Sequence, residues 1–247
     1  MTREQGFQEE KYRSLYLALR WTSAQLRELS DTRVNFLVRQ TYTTKPVGYK
    51  DLLPAKIDQT SAIDYIIGRT LMRPRELIEF FNACIEQAEG RPAITKSMLL
   101  TAEGVYSKDR LRSLQDEWIA DYPTLLEFTT LLRKKPVQFK LKDFEQDAVS
   151  EFCLNYAIRN EAVSADFISA QVKGLLDGLI SVDRFLGYLM HVFYRTGIVG
   201  LKTETYEAFQ WSYAGTTTIA ADTIDEDSSV KIHPTFWRVL GIAPDRT

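Results

Sequence analysis

The chain has 247 residues, 45% of them apolar, enough to bury one large core or two modest ones, and this composition excludes a disordered or collagen-like polymer. Its 31 Lys and Arg stand against 33 Asp and Glu, a formal net charge of -2. That balance gives no global attraction to nucleic acid or an acidic membrane and leaves only local patches to provide one. No apolar stretch approaches the ~18 residues of a membrane span and the amino terminus carries no signal-like run, so a cytoplasmic protein with no membrane partner is expected.

From Phe7 to Gln40, apolar residues recur at helical spacing (Leu15, Leu19, Leu26, Leu29, then Val34, Leu37, Val38), and Ser30-Asp31 predicts a break between two helices. Residues 41–60, with Pro46, Gly48 and Pro54, read as a connector. Ser61 is placed to cap a helix to about Leu71, and Pro74, which lacks an amide proton, forces a new helix. Leu77, Ile78, Phe81, Cys84, Ile85 and Ala88 define its buried face, and Gly90 with Pro92 ends it. Thr95 is expected to cap a helix to about Ala102, Ser107 another to Asp121, and Pro123 to open a third ending near Leu132. After the basic run "RKKPVQFKLKD", Asp143 is expected to open a long amphipathic helix carrying Phe144, Val149, Phe152, Leu154, Tyr156 and Ile158. A helix follows around Asp166 to Asp177. Ser181 caps another bearing Phe185, Leu189, Val192 and Phe193, with Gly197 as its stop. The short segments "IVGLK", "AFQWSYAG" and "SSVKIHP" then read as β-structure before a closing helix "PTFWRVLGI".

The expected fold is therefore mainly α: a helical bundle, which the resemblance described below makes lid-like, then a winged-helix-like domain with a small antiparallel β-ribbon. The corresponding divisions are residues 1–60, 61–135 and 143–247. Cys84 and Cys153 lie in apolar helical contexts and read as two buried thiols of a reducing compartment.

Catalytic chemistry has no visible carrier. His191 and His233 lie far apart without a Cys or acidic cluster at ligand spacing, so no metal site is expected; His191 reads as a core residue and His233 as shaping the start of the last helix. The segment "GRPAITKS" (Gly90 to Ser97) approaches the phosphate-loop pattern but has Thr95 where the second Gly is required, and Pro92 removes an amide. It reads as a helix stop followed by a Thr95 cap.

The segment "IGRTLMRPRELIEFFNACIEQA" resembles the helix of AAA+ and related P-loop ATPases, especially the origin-recognition-like and STAND-like groups, that carries the sensor-2 arginine after an R-P-R or N-P-R signature. In such proteins this helix belongs to the lid and its arginine reaches the γ-phosphate. The resemblance places Arg75 in that role, with Arg73 the neighbouring candidate; a surface ion pair of Arg75 with Glu76 or Glu79 is the competing reading. More loosely, "YSKDRLRSLQDEWIADYPTL" and "KIHPTFWRVLGI" look like the parts that follow the lid in bacterial ATPases ending in winged-helix-like domains. Walker A and Walker B are missing, so the resemblance implies either part of a longer ATPase or a stand-alone relative. It implies no cofactor for this chain alone, ATP only with an ATPase core, and such a core or another protein as partner. A role in phage defence is suggested only by the company that such ATPases keep.

A DNA-binding regulator is the second reading. Arg184, Arg195 and Lys202 lie near the expected recognition helix, and Arg133, Lys134, Lys135, Lys140 and Lys142 form a basic strip interleaved with Phe139. The ordinary meaning of such a strip is a solvated linker. From Thr203 onward Glu204, Glu207, Asp222, Asp225, Glu226, Asp227 and Asp245 outnumber Lys231, Arg238 and Arg246, and an acidic wing repels a phosphate backbone.

Overall fold

The structure, a computed structural model, describes residues 20–41, 44–160, 166–215 and 218–243. The chain is mainly α with small antiparallel sheets. The first described helix, α1 (Ser23–Thr41), runs without interruption through the expected break. Ser30 Oγ donates to the Leu26 carbonyl at 3.0 Å, a local bond that keeps a hydroxyl inside a helix. Asp31 is equally occupied, its carboxylate accepting the Tyr49 amide at 3.0 Å. The helix expected around Leu15 and Leu19 lies outside the described residues.

The expected connector carries a one-turn helix, α2 (Tyr49–Leu52), and a two-stranded ribbon of β1 (Lys56–Ile57) and β2 (Thr60–Ser61). Ser61 caps α3 (Ala62–Ile67) by accepting the Asp64 amide at 3.2 Å, and the helix stops at Gly68, shorter than the apolar pattern suggests. Pro74 occupies the first position of α4 (Pro74–Gln87), where a missing N–H costs nothing. Leu77, Phe81, Cys84 and Ala88 are buried as the periodicity predicts, Phe80 and Glu76 join them, and Ile85 lies exposed.

Thr95 caps α5 (Lys96–Trp118), accepting the Met98 amide at 3.3 Å. The two helices expected between Thr95 and Asp121 are this single one. Ser107 is no cap but a buried mid-helix residue whose Oγ donates to the Thr235 carbonyl at 2.6 Å and accepts the Val239 amide at 3.2 Å, tying the helix to the end of the chain. Ser107→Ala would take a hydrogen bond from the buried Thr235 carbonyl and another from the part-buried Val239 amide. It should lower unfolding free energy by about 1–3 kcal/mol in urea denaturation.

Past α5 come α6 (Leu125–Phe128) and a 3-10 turn, Thr129–Leu132. The basic run then departs from the expected linker: Gln138–Lys140 is strand β3, with Phe139 buried. A 3-10 turn at Leu141–Asp143 follows, so the long helix α7 (Gln146–Arg159) begins three residues after Asp143, and its Leu154 and Ile158 are exposed. Asp166 caps α8 (Phe167–Leu176) and Ser181 caps α9 (Val182–Thr196), which Gly197 ends in the left-handed region at φ 83°. Strands β4 (Val199–Lys202) and β5 (Ser229–Ile232) complete a three-stranded antiparallel sheet in the order β3-β5-β4, with Phe139 opposite Val230 and Leu201 opposite Val230 on the other side. Trp211 lies so close over Gly200 that a Cβ there would come within 2.7 Å of its ring. "AFQWSYAG" contributes only the Gln210–Leu201 bridge. His233 caps the closing 3-10 turn Pro234–Phe236, which runs into α10 (Trp237–Leu240).

Apolar residues gather into two cores. One runs from Leu26 to Tyr106 and the other from Leu111 to Ile242. The change of core therefore falls inside α5, and Leu125, Phe128 and Leu132 share a core with Phe139, the sheet and the second half of α5.

Candidate functional site

The resemblance directs attention to the start of α4. Met72 turns the chain there with φ 56°, a left-handed backbone uncommon for a residue bearing a side chain. The following residues project into a cluster of charges. Glu76 is buried, and one carboxylate oxygen accepts the Leu71 amide, closing the turn back onto the helix. Its other oxygen stands 3.0 Å from Arg110 Nε on α5, close enough for strong attraction though not aligned as a hydrogen bond. Arg110 is also buried and donates to Glu117 at 2.9 Å, while Arg73 reaches Glu117 at 3.0 Å and Glu76 at 3.6 Å. Burial pushes the Glu76 pKa up and Arg110 opposes that rise; burial also disfavours the charge on Arg110, yet Glu76 and Glu117 hold its pKa above the ordinary value.

The two predicted arginines thus have different fates. Arg73 is held in the network, whereas Arg75 is 83% exposed on the first turn of α4 and paired with Glu79 at 2.8 Å. Beside this turn lies an open cleft of about 570 Å³ bordered by Arg20, Trp21, Met72, Arg73 and Tyr213. Arg20, Trp21 and Arg110 were not legible as site residues, because only packing brings them to this turn; Glu76 was visible as a neighbour of Arg75 but not as the buried partner of Arg110.

The predicted basic residues are scattered. Arg184 lies 4.4 Å from the Tyr188 ring and Arg195 donates to the Tyr122 hydroxyl at 2.6 Å, so both serve local packing. Lys202 ends β4 half-buried. Lys140 and Lys142 both pair with Asp227 of the acidic loop, at 3.2 and 2.8 Å, and Lys135 sits 4.1 Å from the Phe144 ring. Arg133 and Lys134 remain exposed.

The near-miss phosphate loop lies between two helices, with Gly90 at φ 71° and Lys96 bound to Asp58 at 2.6 Å. His191 is half-buried and burial lowers its pKa. Cys84 and Cys153 are buried in different cores, with burial pushing both thiols up to about 12. Among the described residues no helix is long and apolar enough to cross a membrane, and no group of His, Cys, Asp and Glu is arranged to hold a metal ion.

Neither a curated protein nor a solved structure matches the chain. Residues 24–115, which span α1 to most of α5, are similar to a family described as the FunZ-associated C-terminal helical domain.

Proposed function

We propose that the chain is a non-catalytic regulatory and interaction region that works with a P-loop ATPase core, supplied in the same polypeptide or by a partner. The position of Arg75 carries this reading. An exposed guanidinium on the first helical turn, tied through one solvent-screened i,i+4 pair, exchanges that carboxylate for a phosphate at little cost. Its planar donors suit phosphate oxygens. Arg73, bound to Glu117 and Glu76, instead braces the turn. The similarity of residues 24–115 to a helical domain described by its association with FunZ agrees with a segment that acts beside another component.

The succession β3, α7, α8, α9, β4, β5 and the strand order β3-β5-β4 support a winged-helix-like unit after the first core. Its use on DNA through a recognition helix is disfavoured by burial. The outer stripe of α9, Arg184, Tyr188, His191 and Arg195, is half-buried, and its two arginines are engaged by the Tyr188 ring and the Tyr122 hydroxyl, which leaves little of the helix to enter a major groove. Protein contact is the better use of this unit.

The reading is tested by ATP turnover. The purified chain should hydrolyse no ATP, and its addition to the P-loop ATPase isolated with it from the native cell should change that enzyme's rate. Arg75→Ala should reduce the effect by about 10²-fold, the scale of losing a donor to developing phosphate charge. Turnover by the chain alone, abolished by Lys96→Ala, would overturn the proposal.

A further inference from the structure

On the face of the second core away from Arg75's turn, α5 borders an open groove of about 660 Å³. Lys108, Arg112, Gln115 and Ile119 recur along one side of this helix at the spacing of successive turns, and all four line the groove. Its opposite wall comes from Pro123 to Arg133 and from Val239 and Leu240. Two contacts fix which end is which. The Val239 amide donates to Ser107 and the Lys134 amide to the Leu240 carbonyl at 3.0 Å, which brings Arg133 and Lys134 to the Lys108 end. The Leu126 amide donates to Gln115 Oε1 at 2.8 Å, which brings Leu126 to the Ile119 end.

The groove is therefore polarised. At one end Lys108, Arg112 and Arg133 line it with Lys134 next in the chain, and all four are exposed and engaged in no salt bridge among the described residues. At the other, Ile119 and Leu126 expose 52% and 39% of their surface. Glu127, the acidic residue among the described ones that line it, is already engaged by Arg159 at 2.8 Å. Among the described residues no aromatic ring lines the groove, so they offer no stacking platform of the kind single-stranded nucleic acid uses. Its length from Lys108 to Ile119 is about 17 Å at ~1.5 Å per residue, close to three helical turns.

We infer that this groove binds an acidic amphipathic peptide segment of a partner protein, its carboxylates meeting Lys108, Arg112, Arg133 and Lys134 and its aliphatic end meeting Ile119 and Leu126. Four like charges without partners are complementary to such a segment, and the aliphatic end gives it apolar area to bury. The inference stands on residues apart from Arg75, so it survives if the nucleotide reading fails.

The test uses the full chain and a fluorescein-labelled 12-residue peptide with four glutamates in one half and three leucines in the other, made in both orders. Fluorescence anisotropy at 50 mM salt should show binding by at least one order. Lys108→Glu with Arg112→Glu should weaken it by about tenfold or more, and Ile119→Ser by several-fold, with melting temperatures unchanged because all three side chains are exposed. The Lys108→Ala/Arg112→Ala pair gives the same reading should the charge reversal disturb folding. Peptide binding that is absent, or equal after the glutamates become glutamine, overturns the inference. Tighter binding of a 20-nucleotide oligothymidylate, lost in the same variants, also overturns it and assigns the groove to nucleic acid.

Discussion

Glu103→Ala should destabilise the protein by about 3–5 kcal/mol, the cost of removing one partner from a buried ion pair and leaving its counter-charges uncompensated. Glu103 is buried on α5 and is the meeting point of three chain segments. It pairs with Arg69 just beyond α3, accepts from Arg238 of α10 at 3.0 Å, and accepts the Tyr65 hydroxyl of α3 at 2.9 Å. Arg69 also stacks 3.3 Å from the Tyr65 ring, and burial is the main reason that the Tyr65 pKa is pushed up to about 12. Truncation therefore strands a half-buried guanidinium and a phenol together. Glu103→Gln, which keeps an acceptor oxygen but loses the charge, should fall between Ala and the native protein. Urea denaturation reads the difference, and a loss below about 1 kcal/mol for Glu103→Ala would show that water replaces the carboxylate freely.

The second large effect concerns pH. His233 is buried; its Nε2 lies 2.9 Å from the Tyr213 hydroxyl, and its Nδ1 lies 2.8 Å from Thr235 Oγ1 and accepts the Thr235 amide at 3.3 Å. Burial, with Arg69 and Arg110 adding to it, lowers its pKa from 6.5 to about 3. Between those values the unfolded chain binds a proton that the folded chain refuses. Stability due to this group is thus present above pH 6.5 and is lost as pH falls towards 3. From pH 7 to pH 4 the loss from His233 alone is about 3 kcal/mol, at a full slope of about 1.4 kcal/mol per pH unit. Other groups titrate over the same interval, so the comparison is with His233→Asn, whose short side chain can still cap the following turn. Stability measured at several pH values should converge between the two proteins as pH falls. Parallel curves would mean that the imidazole accepts its proton in place.

Local chemistry was legible in the sequence. Ser61, Thr95 and Ser181 all cap helices as expected, Pro74 opens one and Gly197 closes one, because each acts on backbone groups close to itself in the chain. The errors share an opposite character. Ser30 and Ser107 have the right chemistry for a helix boundary, but one bonds back along its own helix and the other across the fold. The strip at Gln138–Lys140 looks solvated until β5 pairs with it and Asp227 neutralises two of its lysines. Of the candidate site, Arg73 and Arg75 were visible from their proline. Lys108 and Arg112 were not, since their role depends on a groove whose other wall lies far along the chain.

The uninterrupted α5 has a consequence for cooperativity. Leu99, Ala102 and Tyr106 belong to one core, Leu111 and Leu114 to the other, yet all share one run of i to i-4 hydrogen bonds. Glu103 and Ser107, in the half of this helix that serves the first core, also bond to Arg238 and Thr235 beside the second. Unfolding either core strips half of a shared helix and these cross-links together, so a single transition common to both cores is the expected result in urea denaturation.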